Sequence, residues 1–197
     1  MQNYQPKLLE RTQFGNPIQR KTAKNLTPKE IRNFEVQQLI ADIKFTLKTK
    51  KYGVGLAAPQ VGRSLALSVI LIRPTPARAD REKFESVIIN PSYVGIGKKE
   101  PMWEGCLSLG TKNSPVFAQA MRYKKITVKY HDENGVIQTK TLEGLPAHVF
   151  QHETDHLNGV LFPEHVKDHT TWMNAAEYRK RIVKNANKQL RLSGTMD

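Results

Sequence analysis

One cysteine in 197 residues leaves no intramolecular disulfide and removes the disulfide-stapled class of small secreted folds. It also removes a structural zinc site built on several thiolates. No apolar run is long enough to cross a bilayer. The first residues are polar and lack an apolar signal core, so no secretory signal is visible and a cytoplasmic setting is expected. A basic opening stretch keeps an organellar address as the lesser alternative. Acidic residues are scarce: 18 Asp and Glu stand against 31 Lys and Arg, a net charge of +13. That balance suits acidic partners such as nucleic acid or ribosomes, and equally plain solubility. Repeats, low-complexity tracts and interdomain linkers are missing, and the length suits one domain with a sizeable core.

What is there centres on His152-Glu153-Thr154-Asp155-His156. On a helix, positions four apart share a face one turn apart, so two imidazoles can hold one metal ion. The Glu beside the first His can then serve as general base toward a water that the metal polarises. The bland alternative is a helix with two ordinary histidines. Cys106 stands in Glu104-Gly105-Cys106-Leu107-Ser108. By itself it reads as a buried free thiol. As a thiolate beside two imidazoles it makes a third protein ligand and leaves a fourth tetrahedral position open, the pattern of a catalytic site.

A third segment runs from Gly53 to Gly62 as Gly-Val-Gly-Leu-Ala-Ala-Pro-Gln-Val-Gly. Its glycine spacing is wrong for a phosphate loop and no Lys-Ser/Thr pair follows. Small residues let backbone approach a substrate, and Gln60 can donate an amide N–H to an oxygen that gains charge, or simply brace the loop.

Local signals place these segments. Thr27-Pro28-Lys29-Glu30 predicts a capped helix start, and Ile31, Val36, Leu39, Ile40, Ile43 and Leu47 carry one helix to near Lys51. Strands are expected over Leu65 to Ile72 and Val87 to Ile89. Asn134-Gly135 between Ile126–Tyr130 and Val136–Leu142 predicts a hairpin. A helix from about Pro146 to Asn158 carries the histidines, and a last one runs from about Thr171 to Leu192. Strands followed by a packed helix give an α+β domain.

Together the three segments resemble the peptide deformylase family, whose motifs are Gly-x-Gly-x-Ala-Ala-x-Gln, Glu-Gly-Cys-x-Ser and Gln-His-Glu-x-Asp-His. This chain matches them at Gly53 to Gln60, Glu104 to Ser108 and Gln151 to His156, in order and without mismatch. Asn16-Pro17-Ile18 with Arg20 looks like the family's opening segment, and Asn90-Pro91 like the start of one of its strands. The resemblance covers about residues 7 to 168.

It implies small antiparallel or mixed sheets around a central metal-binding helix, with residues 1–170 as the catalytic part and 171–197 as a basic C-terminal helix and tail of the same domain. It implies removal of the N-formyl group from the N-terminal methionine of newly made proteins, giving formate and a free N-terminus. Cys106, His152 and His156 would hold one divalent metal ion. The family commonly uses Fe2+, and Zn2+, Ni2+ or Co2+ can occupy the same ligands in purified protein. Glu153 would be the base, with the Gln60 side chain and the Leu107 N–H as oxyanion donors. Val54, Gly55 and Gly105 would meet the substrate backbone. Met102, Glu104, Leu145, His148 and Val149 would line the methionine pocket, or else pack in the core. Asp155 is expected to hold a ligand histidine or a nearby Arg, and Gln151 to brace the Cys106 loop.

Departures stand beside the matches. His148 replaces a usual aliphatic residue and reads as a fourth ligand, a pocket wall or a satisfied core imidazole. Asn113 stands where an Arg is usual and Gly110 where a Pro is, which bears on substrate residues beyond the methionine. The implied partners are formyl-methionyl nascent chains and, through the basic C-terminal helix, the ribosome. A monomer without membrane attachment is expected. Two rivals are a general metallopeptidase, which would use a third His or Glu rather than Cys106, and a non-enzymatic ribosome-binding relative, which would not need Gln60, Cys106, His152, Glu153 and His156 intact.

Overall fold

The computed structural model describes residues 4–49, 53–74, 83–111 and 114–184. Helix α1 (Pro28–Ile31) starts at the expected cap: the Glu30 N–H donates to Thr27 Oγ1 at 3.2 Å and the Thr27 N–H donates back to Glu30 Oε2 at 2.7 Å. The single helix expected here is two. Arg32 ends α1 and Asn33 precedes α2 (Phe34–Lys48). The break re-aims the chain so that Val36, Leu39, Ile40, Ile43 and Leu47 form one buried stripe.

That stripe packs on strand β2 (Leu67–Ile72), which pairs with the short β1 (Gly55–Ala57). All six residues of β2 are buried, and their period of two divides the core. Leu67, Val69 and Leu71 face α2, whereas Ile70 and Ile72 face a second cluster with Ile126, Val128 and Phe150. Helix α3 (Leu145–Leu157) supplies Phe150 and closes that side. The sheet is thus sandwiched between α2 and α3. Burying one such aliphatic side chain is worth about 1.5–3 kcal/mol.

The sheet itself differs from the expectation of several small ones. Among the described residues six strands form one antiparallel network: β1 and β2 are followed in order by β3 (Phe84–Thr111), β4 (Ser114–His131) and β5 (Ile137–Glu143), with β6 (Met173–Asn174) on β4. The strand expected at Val87 to Ile89 is β3, Phe84–Thr111, and its partner β4 is Ser114–His131. Register shifts between Ile89 and Ser92, Ile96 and Lys99, and Gly105 and Gly110 let so long a ribbon bend. Asn90 marks the first of these with φ 50°, and its side chain holds Leu26 through both the backbone N–H and the carbonyl. The predicted hairpin joins β4 to β5 (Ile137–Glu143): Gly135 takes φ 79°, and Asp132 Oδ1 accepts from the Asn134 and Val136 N–H groups.

The N-terminal segment is a strap. The Lys7 and Leu9 N–H groups bond to Asp42 Oδ1 and Thr46 Oγ1 on α2. Further on, the Thr12 N–H reaches the Gln60 carbonyl and the Phe14 N–H the Ser108 carbonyl, both at 2.8 Å. At the other end Asn174 caps α4 (Ala175–Tyr178), and a wider turn continues over Arg179–Val183. The Tyr178 ring stacks on Phe117 with centroids 4.0 Å apart, docking this helix on the β3–β4 ribbon. The expected C-terminal helix starts at Ala175 rather than about Thr171, because Met173 and Asn174 pair with β4, and its part beyond residue 184 lies outside the described residues, as does Asn113. Among the described residues no helix is long and apolar enough to cross a membrane.

Candidate active site

Helix α3 is buried on every side: from Ala147 to Leu157 only His152 is not fully buried. An all-buried helix that carries His, Glu, Gln and Asp has to give each a partner or a task. It presents His152 and His156 one turn apart, with ring centroids 4.8 Å apart. Strand β3 brings Cys106 across to them. The His156 Nε2 lies 3.3 Å from Cys106 Sγ, and one donor atom from each of the three residues falls within 4.8 Å of the others. Burial pushes the Cys106 thiol up, but His156 and His152 beside it overcome this and bring it down to about 5. A thiolate and two imidazoles converging in this way fit a single divalent ion of the softer transition series.

Glu153 follows His152 and turns toward β1. Its carboxylate lies where a side chain on Gly55 would be, since a Cβ there would stand 2.1 Å from Oε1. Its Oε2 is buried and accepts no hydrogen bond from the protein. Burial raises this carboxyl to about 7, with His152 and His156 opposing the rise. Gln60 closes another side. Its Oε1 accepts from the Ala57 N–H at 2.8 Å, which orients the amide so that Nε2 faces Cys106 Sγ at 3.5 Å and Ser108 Oγ at 3.1 Å. The Leu107 carbonyl accepts from Arg11 Nη1 at 3.1 Å, and the Ser108 N–H donates to Cys106 Sγ at 3.4 Å.

Behind the histidines sits a saturated carboxylate. Glu104, 4% exposed, takes both Arg122 Nε and Nη2 at 2.8 Å. Its Oε2 also faces His148 Nε2 at 2.7 Å, and its Oε1 faces His152 Nδ1 at 2.5 Å. Burial pushes Glu104 up, but Arg122 and then His152 win, and the carboxyl lies well below the usual range. The second anion on Arg122 is Asp155, with Oδ2 2.5 Å from Nη1.

A two-histidine helix with a buried free carboxylate is shared by several hydrolase families; a cysteine on a neighbouring strand and a glutamine loop beside it narrow the choice. The Polypeptide deformylase family model matches residues 9–172. The chain belongs to this family. It is 37% identical to peptide deformylase 2 of Nostoc sp. over 182 residues, 91% of this chain and 98% of that protein. It is 36% identical to the peptide deformylase of Christiangramia forsetii over 183 residues, 87% and 84% of the two chains. Among solved structures, the Met-Ala-Ser-bound class I type b peptide deformylase of Acinetobacter baumannii has a TM-score of 0.75 at 30% identity, covering 82% of this chain and all of that one. The actinonin complex of the Synechococcus elongatus peptide deformylase has a TM-score of 0.70 at 34% identity, covering 85% and 86%. As a peptide deformylase the protein is a hydrolase that removes the N-formyl group from nascent proteins.

The structure brings Cys106, His152, His156, Glu153, Gln60, Gly55 and the loop after Cys106 together. Glu104 was expected to line a methionine pocket; its carboxylate instead serves Arg122, His148 and His152. His148 is a satisfied buried imidazole, with Nε2 bonded to Glu104, and it stands apart from the three converging donor atoms. Val149 is buried in the core cluster of Ile70 and Phe150, with Val54 and Leu145 half-buried against it. Met102 is half-buried on β3 opposite Ala120, and Gly105 lies against the Phe117 ring. Gln151 does not brace the Cys106 loop. Its amide pairs with the Tyr123 N–H and carbonyl at 3.0 and 2.8 Å, stitching α3 to β4. Arg122 and Arg11 were missed. A signal existed for Arg122: it falls in alternation with Ala118 and Ala120 on the buried face of β4, where a cation needs an anion.

Proposed function

We propose that Cys106, His152 and His156 hold one divalent metal ion, ferrous iron in the working enzyme, and that Glu153 is the base for deformylation. The observation that carries this reading is the buried, unbonded Glu153 Oε2 beside three converging donor atoms. When bound, the metal supplies Lewis acidity that brings the pKa of a water toward neutrality. Glu153, raised to about 7 by its burial, matches a proton it must both accept and return at neutral pH. It takes the proton of the water that adds to the formyl carbon. The C–N bond then breaks, formate leaves, and the amine receives the proton from Glu153.

The oxygen that gains charge is met by Gln60 Nε2, pre-aimed by the Ala57 N–H, and by the Leu107 N–H. Strand β1 ends the sheet, and Gly55 sits on it. An extended formyl-methionyl chain adds there as a further strand, with Gly105 across from it. The half-buried Val54, Met102 and Leu145 offer apolar surface to the methionine side chain.

The enzyme acts as a cytoplasmic monomer on chains leaving the ribosome. Arg179, Lys180, Arg181 and Lys184 begin a basic stretch that continues in sequence with Lys188 and Arg191 and supports docking on ribosomal phosphates. Such docking weakens steeply with salt. The decisive experiment is anaerobic turnover: formate release from a formyl-Met peptide, with metal content measured on the same sample. A fully metal-loaded protein that cleaves unformylated peptides instead, or nothing, would sink the reading.

A further inference from the structure

His148 is a buried polar side chain for which deformylation, as described, has no use. It precedes His152 by one turn of α3 and is 6% exposed. A carboxylate offers about four lone-pair sites. On Glu104 all four are taken: two by Arg122, one by His148 and one by His152. Arg122, itself anchored by Asp155, grips both carboxylate oxygens from one edge and leaves the edge toward α3 to the imidazoles. His148 reaches Oε2 from the same helix that carries His152, so the two imidazoles grip the carboxylate from one side, one turn apart.

We propose that His148 is a positioning residue for the metal centre. It donates its Nε2–H to Glu104 and locks the carboxylate where it accepts Nδ1–H from His152. That leaves the His152 Nε2 unprotonated and turned toward Cys106 and His156. Without His148, Glu104 has a free site on Oε2, and the His152 ring loses part of the support that fixes its orientation. Outer partners of this kind typically change metal affinity or activity by 10–100-fold. The inference rests on the three-ligand reading above and concerns only what supports it.

The test uses the full chain loaded with cobalt(II) under anaerobic conditions, as wild type, His148→Leu, His148→Gln and His148→Asn. Metal release to a chelator, the visible cobalt absorption, and kcat and KM on a formyl-Met tripeptide are read in parallel. His148→Leu is expected to release cobalt roughly tenfold faster, to alter the ligand-field bands and to lower kcat while KM stays within about twofold. His148→Gln, which keeps an N–H donor at similar reach, is expected to restore release and spectrum. His148→Asn, too short, is not. Should the Leu variant fail to fold, the Gln and Asn pair carries the same contrast. Wild-type release and spectrum in the Leu or Asn variant would overturn the proposal, as would a change in KM or melting temperature alone. A wild-type protein that binds no cobalt would instead overturn the three-ligand reading itself.

Discussion

Glu104 and Glu153 are buried to nearly the same degree, 4% and 2% exposed, and both belong to the surroundings of His152. They are treated in opposite ways. Glu104 is saturated by four donors and held well below the usual carboxylate range. Glu153 has an oxygen that accepts nothing, and its carboxyl is raised to about 7. Burial raises both; a guanidinium decides the first case, and the lack of one decides the second. The difference separates two uses of a buried acid. A satisfied carboxylate can hold another group still. An unsatisfied one can trade a proton, because neither state is strongly preferred.

The sharpest way to break the comparison is Glu153→Gln. The amide fills the same volume but cannot take the proton, so kcat is expected to fall ~10²–10⁴-fold with metal content unchanged. Formate release and metal analysis on one preparation check it, and near wild-type turnover would remove the contrast. Arg122→Met attacks the other side. It leaves Glu104 and Asp155 buried without their cation, and a loss of about 3–5 kcal/mol in urea unfolding is expected. A loss below about 1 kcal/mol would mean that the two carboxylates find other partners.

The third test separates the two acids by pH, in protein stripped of metal. The folded pKa of Glu153, about 7, lies above its ordinary 4.5. The stability this contributes is therefore complete below about 4.5 and is lost as pH rises through 7. Glu153→Gln stays neutral throughout. Its stability relative to wild type should grow across that window, by on the order of 3 kcal/mol, and then level off. Denaturation midpoints that differ by a constant from pH 4.5 to 8 would contradict the assignment. The smallest effect is expected from Gly55→Ala. The new methyl meets the Glu153 carboxylate, the movable end of a side chain, so turnover should drop roughly tenfold with little change in melting temperature. A crystal structure with Glu153 unmoved would disprove the cause.

What could be read in advance was local. The Thr27 cap, the Asn134-Gly135 turn and the spacing of His152 and His156 are set within a few residues, and the structure places each where its local chemistry demands. The length of β3 and β4 was hidden, because Pro91, Gly97, Pro101 and Gly110 look like breaks in the chain. Pro91, Gly97 and Gly110 fall at register shifts of a ribbon held by its partner strand, and Pro101 sits in regular register opposite Met121. Gly110 takes φ 109° and a Cβ there would strike the Ser114 carbonyl, so the backbone itself calls for glycine at this position. The carboxylate cluster of Glu104 and His148 was hidden for the same reason. Their partner Arg122 is 18 residues from Glu104, and only the pairing of Glu104 with Ala118 brings β4 alongside.

The strap from Lys7 to Phe14 gives the site a schedule. Arg11 bonds to a carbonyl 96 residues later, and Thr12 and Phe14 fasten the Gln60 and Ser108 loops. His156 comes later still. Contacts of such range form slowly, because the chain between them must first lose its freedom. The opening residues thus wait, during synthesis, for most of the protein before they find their seats. Chains that end before His156 should have no partial activity, and during refolding turnover should return with the slowest long-range contacts rather than with the helices.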